Sequence, residues 1–223
     1  MIRPRITLVI ASSIDGRIAI PSGAISNLGS LEDKKILNDS LSKVDATIFG
    51  SGTLKTHKSN FLVKNYTNTK EIRLSKKQPI SIVAGNPNYF SYDWQFFKQP
   101  LRRWLLNSTK YPLKDKSNFE KEFFFKEDIF TILKLLKKEG VNSIALLGGA
   151  KLIYSFALEN LIDEIKITVV PRIIGGEYSW IPAAKSNYIF KTHQKWKLVR
   201  SEELSSNEIF LHYSKLKSLN NNK

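Results

Sequence analysis

The sequence has no cysteine, which excludes disulfides, thiolate metal centres, zinc sites built on cysteine and a cysteine nucleophile. That absence fits a reducing compartment. Histidine is scarce too, and the three residues His57, His193 and His212 are too dispersed to form a metal cluster, so no metal is expected. No Gly-x-Ser-x-Gly elbow supports a hydrolase triad, and no glycine-rich run ends in the Gly-Lys-Ser/Thr of a Walker loop. Long apolar runs are missing as well. Ile6–Ala11 is far too short to span a bilayer, and no small-residue cleavage site follows its basic start, so no membrane association is expected. The expected location is the cytoplasm. Acidic residues are few, with 20 Asp and Glu against 35 Lys and Arg, a formal charge of +15.

What is present is the mix of a soluble globular chain: 223 residues, 42% hydrophobic and 25% charged. Such a length buries enough surface for a full core without staples. One domain over residues 1–217 is expected, with a disordered tail at 218–223. The positive charge raises three classes of partner: nucleic acid, an anionic membrane surface, or a small phosphorylated substrate. The lysines are scattered rather than striped, which reads as a habit of the whole chain. The small phosphorylated ligand draws on the same field.

Strands and helices alternate along the chain. Ile6–Ser12 is a short β-branched run of the kind a buried strand shows. Ser30-Leu31-Glu32-Asp33 offers an N-cap with acidic residues in the first turn, and Ile36, Leu37, Leu41 and Val44 carry a helix to about Lys43. Asp45–Phe49 and Pro79–Ala84 are further strands, and Trp104–Leu106 is a shorter candidate. Asn88–Arg103 holds six aromatic residues without a clear period, and Lys110–Lys121 looks like a polar loop. Asp128–Glu139 is an amphipathic helix stopped by Gly140. A strand over Ser143–Leu147, a helix over Ala150–Asn160, a strand over Glu164–Val170 and a pair at Lys197–Val199 and Glu208–Lys217 complete the chain. The alternation predicts an α/β fold with a mostly parallel central sheet and antiparallel C-terminal strands.

In such sheets ligands bind where strands end. Two turns there are glycine-rich: Gly50-Ser51-Gly52-Thr53, and Gly148-Gly149-Ala150-Lys151-Leu152 after Leu147. Each brings free backbone N–H groups to a place where missing side chains let a phosphate approach. A glycine pair at a strand–helix turn can also be purely structural, but two such turns on neighbouring strands point to a phosphate-bearing cofactor. Asp15, in Ser13-Ile14-Asp15-Gly16, is either a turn aspartate or a carboxylate at the mouth of a site. His57, just behind the first glycine turn, is the one histidine placed to act. Arg102, Arg103 and Lys110 could meet a 2′-phosphate or simply keep the surface soluble.

Taken together, Ser13-Ile14-Asp15-Gly16-Arg17-Ile18-Ala19, Gly50-Ser51-Gly52-Thr53-Leu54, Leu147-Gly148-Gly149-Ala150-Lys151-Leu152, Leu161-Ile162-Asp163-Glu164 and Pro171-Arg172-Ile173-Ile174-Gly175-Gly176 resemble, in order and spacing, the pyrimidine reductase of riboflavin biosynthesis, the reductase half of the bifunctional deaminase/reductase. The resemblance spans roughly residues 3–215. It implies a dihydrofolate-reductase-like three-layer fold, a homodimer, NADPH as cofactor, and reduction of the ribosyl chain of 5-amino-6-(5-phosphoribosylamino)uracil by hydride transfer. By position it puts Ala11 and Ser12 near the nicotinamide and Asp15 between cofactor and substrate as the catalytic candidate. Gly50, Gly52, Thr53, Gly148, Gly149, Ala150, Lys151 and Leu152 would hold the cofactor, and Asn27, His57 and Lys64 the substrate. The departures fall on the substrate side. Leu147 stands where the family has Glu, and Leu41 where it often has Arg. His57-Lys58-Ser59 replaces Asp-Asp-Pro, and Lys64 stands for a phosphate-binding Arg. Two other readings remain open at this point. One is a reductase of this fold with another substrate; the other is a basic nucleic-acid binder using the aromatic segment Tyr89–Trp104.

Overall fold

The computed structural model describes residues 2–20, 28–66, 72–75, 77–124, 128–181 and 195–216. The chain opens on β1 (Arg5–Ser13), which leads to α1 (Leu31–Ser42), β2 (Ala46–Gly50) and α2 (Ser51–His57). A small antiparallel pair follows, β3 (Lys64–Tyr66) with β4 (Ile72–Leu74). Then come β5 (Ile80–Gly85), a single 3-10 turn at Pro87–Tyr89, the short α3 (Gln95–Lys98), β6 (Arg103–Asn107) and β7 (Lys121–Phe124). The last third holds α4 (Ile129–Lys138), β8 (Ser143–Leu146), α5 (Ala150–Leu158), β9 (Glu164–Val170), β10 (Trp196–Leu204) and β11 (Glu208–Lys215).

Nine of these strands form one sheet in the order β10-β11-β9-β1-β8-β2-β5-β6-β7. From β9 to β7 every neighbouring pair is parallel, and β11 and β10 join antiparallel at the β9 edge. This is the predicted architecture, with helices covering both faces. Alternate residues of each strand point to opposite sides. Ile6 and Leu8 of β1, Ile48 of β2 and Ile82 of β5 therefore meet Ile132, Leu136, Ile153 and Phe156 of α4 and α5 on one face. Val9 meets Leu41 of α1, and Phe49 meets Leu54 of α2 and Phe96 of α3, on the other.

Local chemistry sets the helix limits. Ser30 Oγ accepts from the Glu32 and Asp33 N–H groups at 3.2 Å each, which starts α1 where the cap was expected. Asp128 caps α4 through the Thr131 N–H at 2.8 Å. Gly140, at φ 88°, ends that helix with its N–H on the Lys137 carbonyl and the Val141 N–H on Leu136.

Two aspartates fasten the amino ends of the central strands. Asp45 Oδ2 accepts from the Asn142 and Ser143 N–H groups and the Ser143 hydroxyl at 2.9, 3.0 and 2.9 Å, joining the start of β2 to that of β8. Asp163 takes both Arg3 guanidinium nitrogens at 2.7 Å and the Ile6 N–H at 2.8 Å, joining β1 to β9.

Three segments differ from expectation. Gly50–Thr53 is not a free turn but the entry to α2, a helix too short for a periodic signal. Lys121, expected as the last residue of a polar loop, instead opens the edge strand Lys121–Phe124, which pairs with β6. Much of the aromatic segment is core: Phe90, Phe96 and Leu101 are buried with Phe119 against Phe49 and Val83, while Tyr89 and Tyr92 stay exposed. The expected tail at 218–223 and His193 lie outside the described residues.

Candidate active site

The carboxyl ends of β1, β8, β2 and β5 open into one cleft of about 1350 Å³. A single drug-sized ligand occupies roughly 300–1,000 Å³, so this volume accommodates a dinucleotide and a second molecule together. Its floor is made by the two glycine turns, which touch each other. The Gly50 N–H donates to the Gly148 carbonyl at 3.2 Å, and a Cβ built on Gly149 would stand 3.4 Å from Thr53 Oγ1 and 3.6 Å from Gly50. Gly149 sits at φ 86°, a conformation side chains disfavour, and forms the N-cap of α5 without any side-chain cap. The first N–H groups of α5 are thereby left for a ligand. Gly50, Gly52, Thr53, Gly148, Gly149, Ala150, Lys151 and Leu152 all line this floor.

Ala11 lines the cleft from β1, as expected, but Ser12 does not. Ser12 is 1% exposed, and its hydroxyl donates to the Ser13 carbonyl at 3.0 Å. Asp15 is also absent from the lining. Its carboxylate accepts from the Ser13 hydroxyl at 2.5 Å, from the Gly175 N–H at 2.7 Å and from the Ile174 N–H at 3.1 Å. These bonds, led by the Ser13 hydroxyl and the Gly175 N–H, lower its pKa to about 2. A carboxyl so held has no proton to give near neutrality. The geometry makes it a clamp between the β1 turn and the loop after β9.

The opposite wall is built from side chains. His57 and Lys64 line it, as expected, and Asn27 lies outside the described residues. Desolvation lowers the His57 pKa, which favours the neutral imidazole. Asn38 of α1 holds the Lys64 backbone on both sides, accepting from its N–H at 2.7 Å and donating to its carbonyl at 2.9 Å. Leu147 is in the wall with Leu37, Phe61 and Leu62. Leu41 is not: it is fully buried behind that wall, against Val9, Val63 and Ala145. Arg102 and Arg103 lie at the amino end of β6, far from the strand ends that form the cleft. Arg102 pairs with Glu120, and Arg103 donates to the Phe96, Phe97 and Gln99 carbonyls.

Sequence reasoning missed several polar groups here. Asn60 and Lys34 line the cleft, and so does Asp33, the only carboxylate among the described lining residues, in a lining that also holds Lys64 and Lys151. Asp33 was absorbed into the capping pattern at the start of α1, so nothing in the sequence alone set it apart.

Residues 4–210 match the family model of the RibD C-terminal domain. The chain is similar to the riboflavin biosynthesis protein RibD of Buchnera aphidicola, 30% identical over 183 residues, which are 77% of this chain and 49% of that protein. It thus spans about half the length of that relative. It is also similar to the 2,5-diamino-6-ribosylamino-4(3H)-pyrimidinone 5′-phosphate reductase of Aquifex aeolicus, 26% identical over 190 residues, 79% of this chain and 81% of that enzyme. Among solved structures, Acinetobacter baumannii RibD superposes with a TM-score of 0.81 at 20% identity, covering 97% of this chain and 59% of that one.

Proposed function

Because the chain belongs to the RibD C-terminal domain family, we propose that it is an NADPH-dependent reductase of riboflavin biosynthesis, converting the ribosyl chain of 5-amino-6-(5-phosphoribosylamino)uracil to ribityl, as a cytoplasmic homodimer. The observation that carries the reading is the contact between the two glycine turns. It puts the uncapped start of α5 and the Thr53 hydroxyl on one floor, and a phosphate-bearing cofactor needs that combination. The residues fit the cofactor: no side chain fills the space over Gly52, and the cleft carries three lysines to one carboxylate.

NADPH bound there supplies a hydride. The protein's share is placement. The floor fixes the pyrophosphate and ribose, Ala11 leaves room for the nicotinamide ring beside β1, and the apolar wall of Leu37, Phe61 and Leu147 excludes water from the reacting carbon. Lys34 and Lys64 meet the substrate phosphate as point charges.

A second reading is favoured by Leu147 alone: a reductase of the same fold with another substrate, since leucine cannot bond a pyrimidine edge. Absorbance-monitored NADPH oxidation decides between them, with the phosphoribosylamino-uracil and the 2,5-diaminopyrimidinone phosphate each offered to the purified chain. Turnover of either supports the pyrimidine reductase. NADPH binding without turnover of either leaves the second reading.

A further inference from the structure

We infer that Asp33 is the acid that supplies the proton consumed in the reduction, a role that rests on the reductase reading above. Asp33 sits in the first turn of α1, where a carboxylate ordinarily serves the helix end. That service is already performed by Ser30, whose hydroxyl takes the Glu32 and Asp33 N–H groups. The Asp33 side chain instead lies back over Gly29, so close that a Cβ on Gly29 would collide with the carboxyl. It reaches the sheet and becomes the one carboxylate on the described lining of the cleft.

Its surroundings favour the protonated form. The groups that face it are Glu208 from β11, the Thr168 hydroxyl from β9 and Lys34 from its own helix. Glu208 is 3% exposed; its Oε1 accepts from the Ser30 N–H at 2.9 Å, and its Oε2 is buried without a hydrogen-bond partner. Two carboxylates cannot both stay ionised at low cost in one poorly solvated place. Desolvation first, and Glu208 second, raise the Asp33 pKa, against the Thr168 hydroxyl and Lys34, which lower it. The acid is also in the right quarter of the cleft, since Thr168 is the register partner of Ala11, the residue assigned to the nicotinamide.

The chemistry balances with a dihydronicotinamide as the reductant. The ribosylamine opens to its imine. As the imine carbon accepts the hydride, the C=N π pair moves to nitrogen, and Asp33 gives that nitrogen its proton. The sugar carbon is reduced, the nicotinamide oxidised, and the Asp33 carboxylate regains a proton from solvent.

The test compares the full chain with Asp33→Asn, Asp33→Glu and Gly29→Ala. We expect Asp33→Asn to lower kcat about 100-fold, with NADPH affinity by fluorescence titration within about twofold of wild type. The fall of kcat at high pH, set in the wild type by loss of the Asp33 proton, should disappear. Its melting temperature should match the wild type, because the amide replaces a carboxyl that is already neutral beside Glu208. Asp33→Glu should recover part of kcat. Gly29→Ala, which displaces the carboxyl while keeping it, should lower kcat with the pH limb retained. Wild-type kcat and pH profile in Asp33→Asn would overturn the assignment. So would a loss of kcat accompanied by lower melting temperature and weaker NADPH binding, which would make Asp33 a structural residue. If the wild type itself turns over neither substrate, the pyrimidine-reductase reading fails first, and the assignment, which rests on it, goes with it.

Discussion

The two walls of the cleft are built on different principles. The floor over α5 and α2 is made of backbone: the Gly50 N–H closes onto the Gly148 carbonyl, and Gly149 leaves the start of α5 without a side-chain cap. The wall over α1 is made of side chains, Asp33, Lys34 and Leu37 of α1, Lys64 of β3, and Leu147 from the loop after β8. A backbone site tolerates change around it as long as the glycines stay. A side-chain site can be re-specified one residue at a time, and this chain departs from the family pattern on that wall.

The contrast can be broken from either side. The largest effect is expected from Gly149→Asp. The residue is at φ 86°, where a side chain costs roughly 1–3 kcal/mol of strain, and the new charge repels phosphate. NADPH affinity measured by fluorescence titration should fall about 100-fold or more, the equivalent of roughly 2.7 kcal/mol. Next comes Leu147→Glu, which returns a carboxylate to the opposite wall. It should lower KM for a phosphoribosylamino-pyrimidine about tenfold while leaving NADPH affinity unchanged, and an unchanged KM would argue for a substrate without a pyrimidine edge. Thr53→Val removes one hydroxyl from the floor. About 1 kcal/mol per hydrogen bond gives a roughly fivefold weaker NADPH complex, and an unaffected complex would take Thr53 out of the cofactor site.

Lys64→Ala should raise the substrate KM only about threefold, because an exposed charge is well screened, and the difference should vanish at high salt. The smallest effect on turnover is expected for Asp15→Asn, whose signature lies in stability against pH. The Asp15 pKa is depressed from 3.8 to about 2 in the folded chain. Its contribution is therefore present above the unfolded value and lost as pH falls through about 2. The melting-temperature gap between wild type and variant should be full at neutral pH and close across that acid window. A large loss of kcat in this variant would return Asp15 to the catalytic machinery.

The same contrast explains what was legible in the sequence. The glycine turns announce themselves as a set, because two of them follow neighbouring strands and each opens a helix. The strands around them were equally plain, since β1, β2, β5 and β8 are short apolar runs bounded by polar turns. The α1 wall was obscure because its members belong to other patterns when read along the chain. Asp33 reads as a capping acid and Lys34 as one lysine among many; only the register of β1 with β9 and the packing of α1 against the sheet bring them to the cleft. Leu41 shows the converse. Its position promised a contact with substrate, and tertiary packing put it behind the wall. The aromatic run from Tyr89 lacked a period because it folds as short turns around a core rather than as one element.

The Asp45 and Asp163 fastenings have a consequence at the other end of the molecule. Each strand advances about 3.3 Å per residue, so a slip of one residue between β2 and β8 would carry Gly148 past Gly50 by more than a hydrogen bond can stretch. The alignment of the glycine floor is thus a datum set at the opposite rim, a strand's length away. Asp45, at the rim opposite the cleft, works as the dowel that lets the two turns meet.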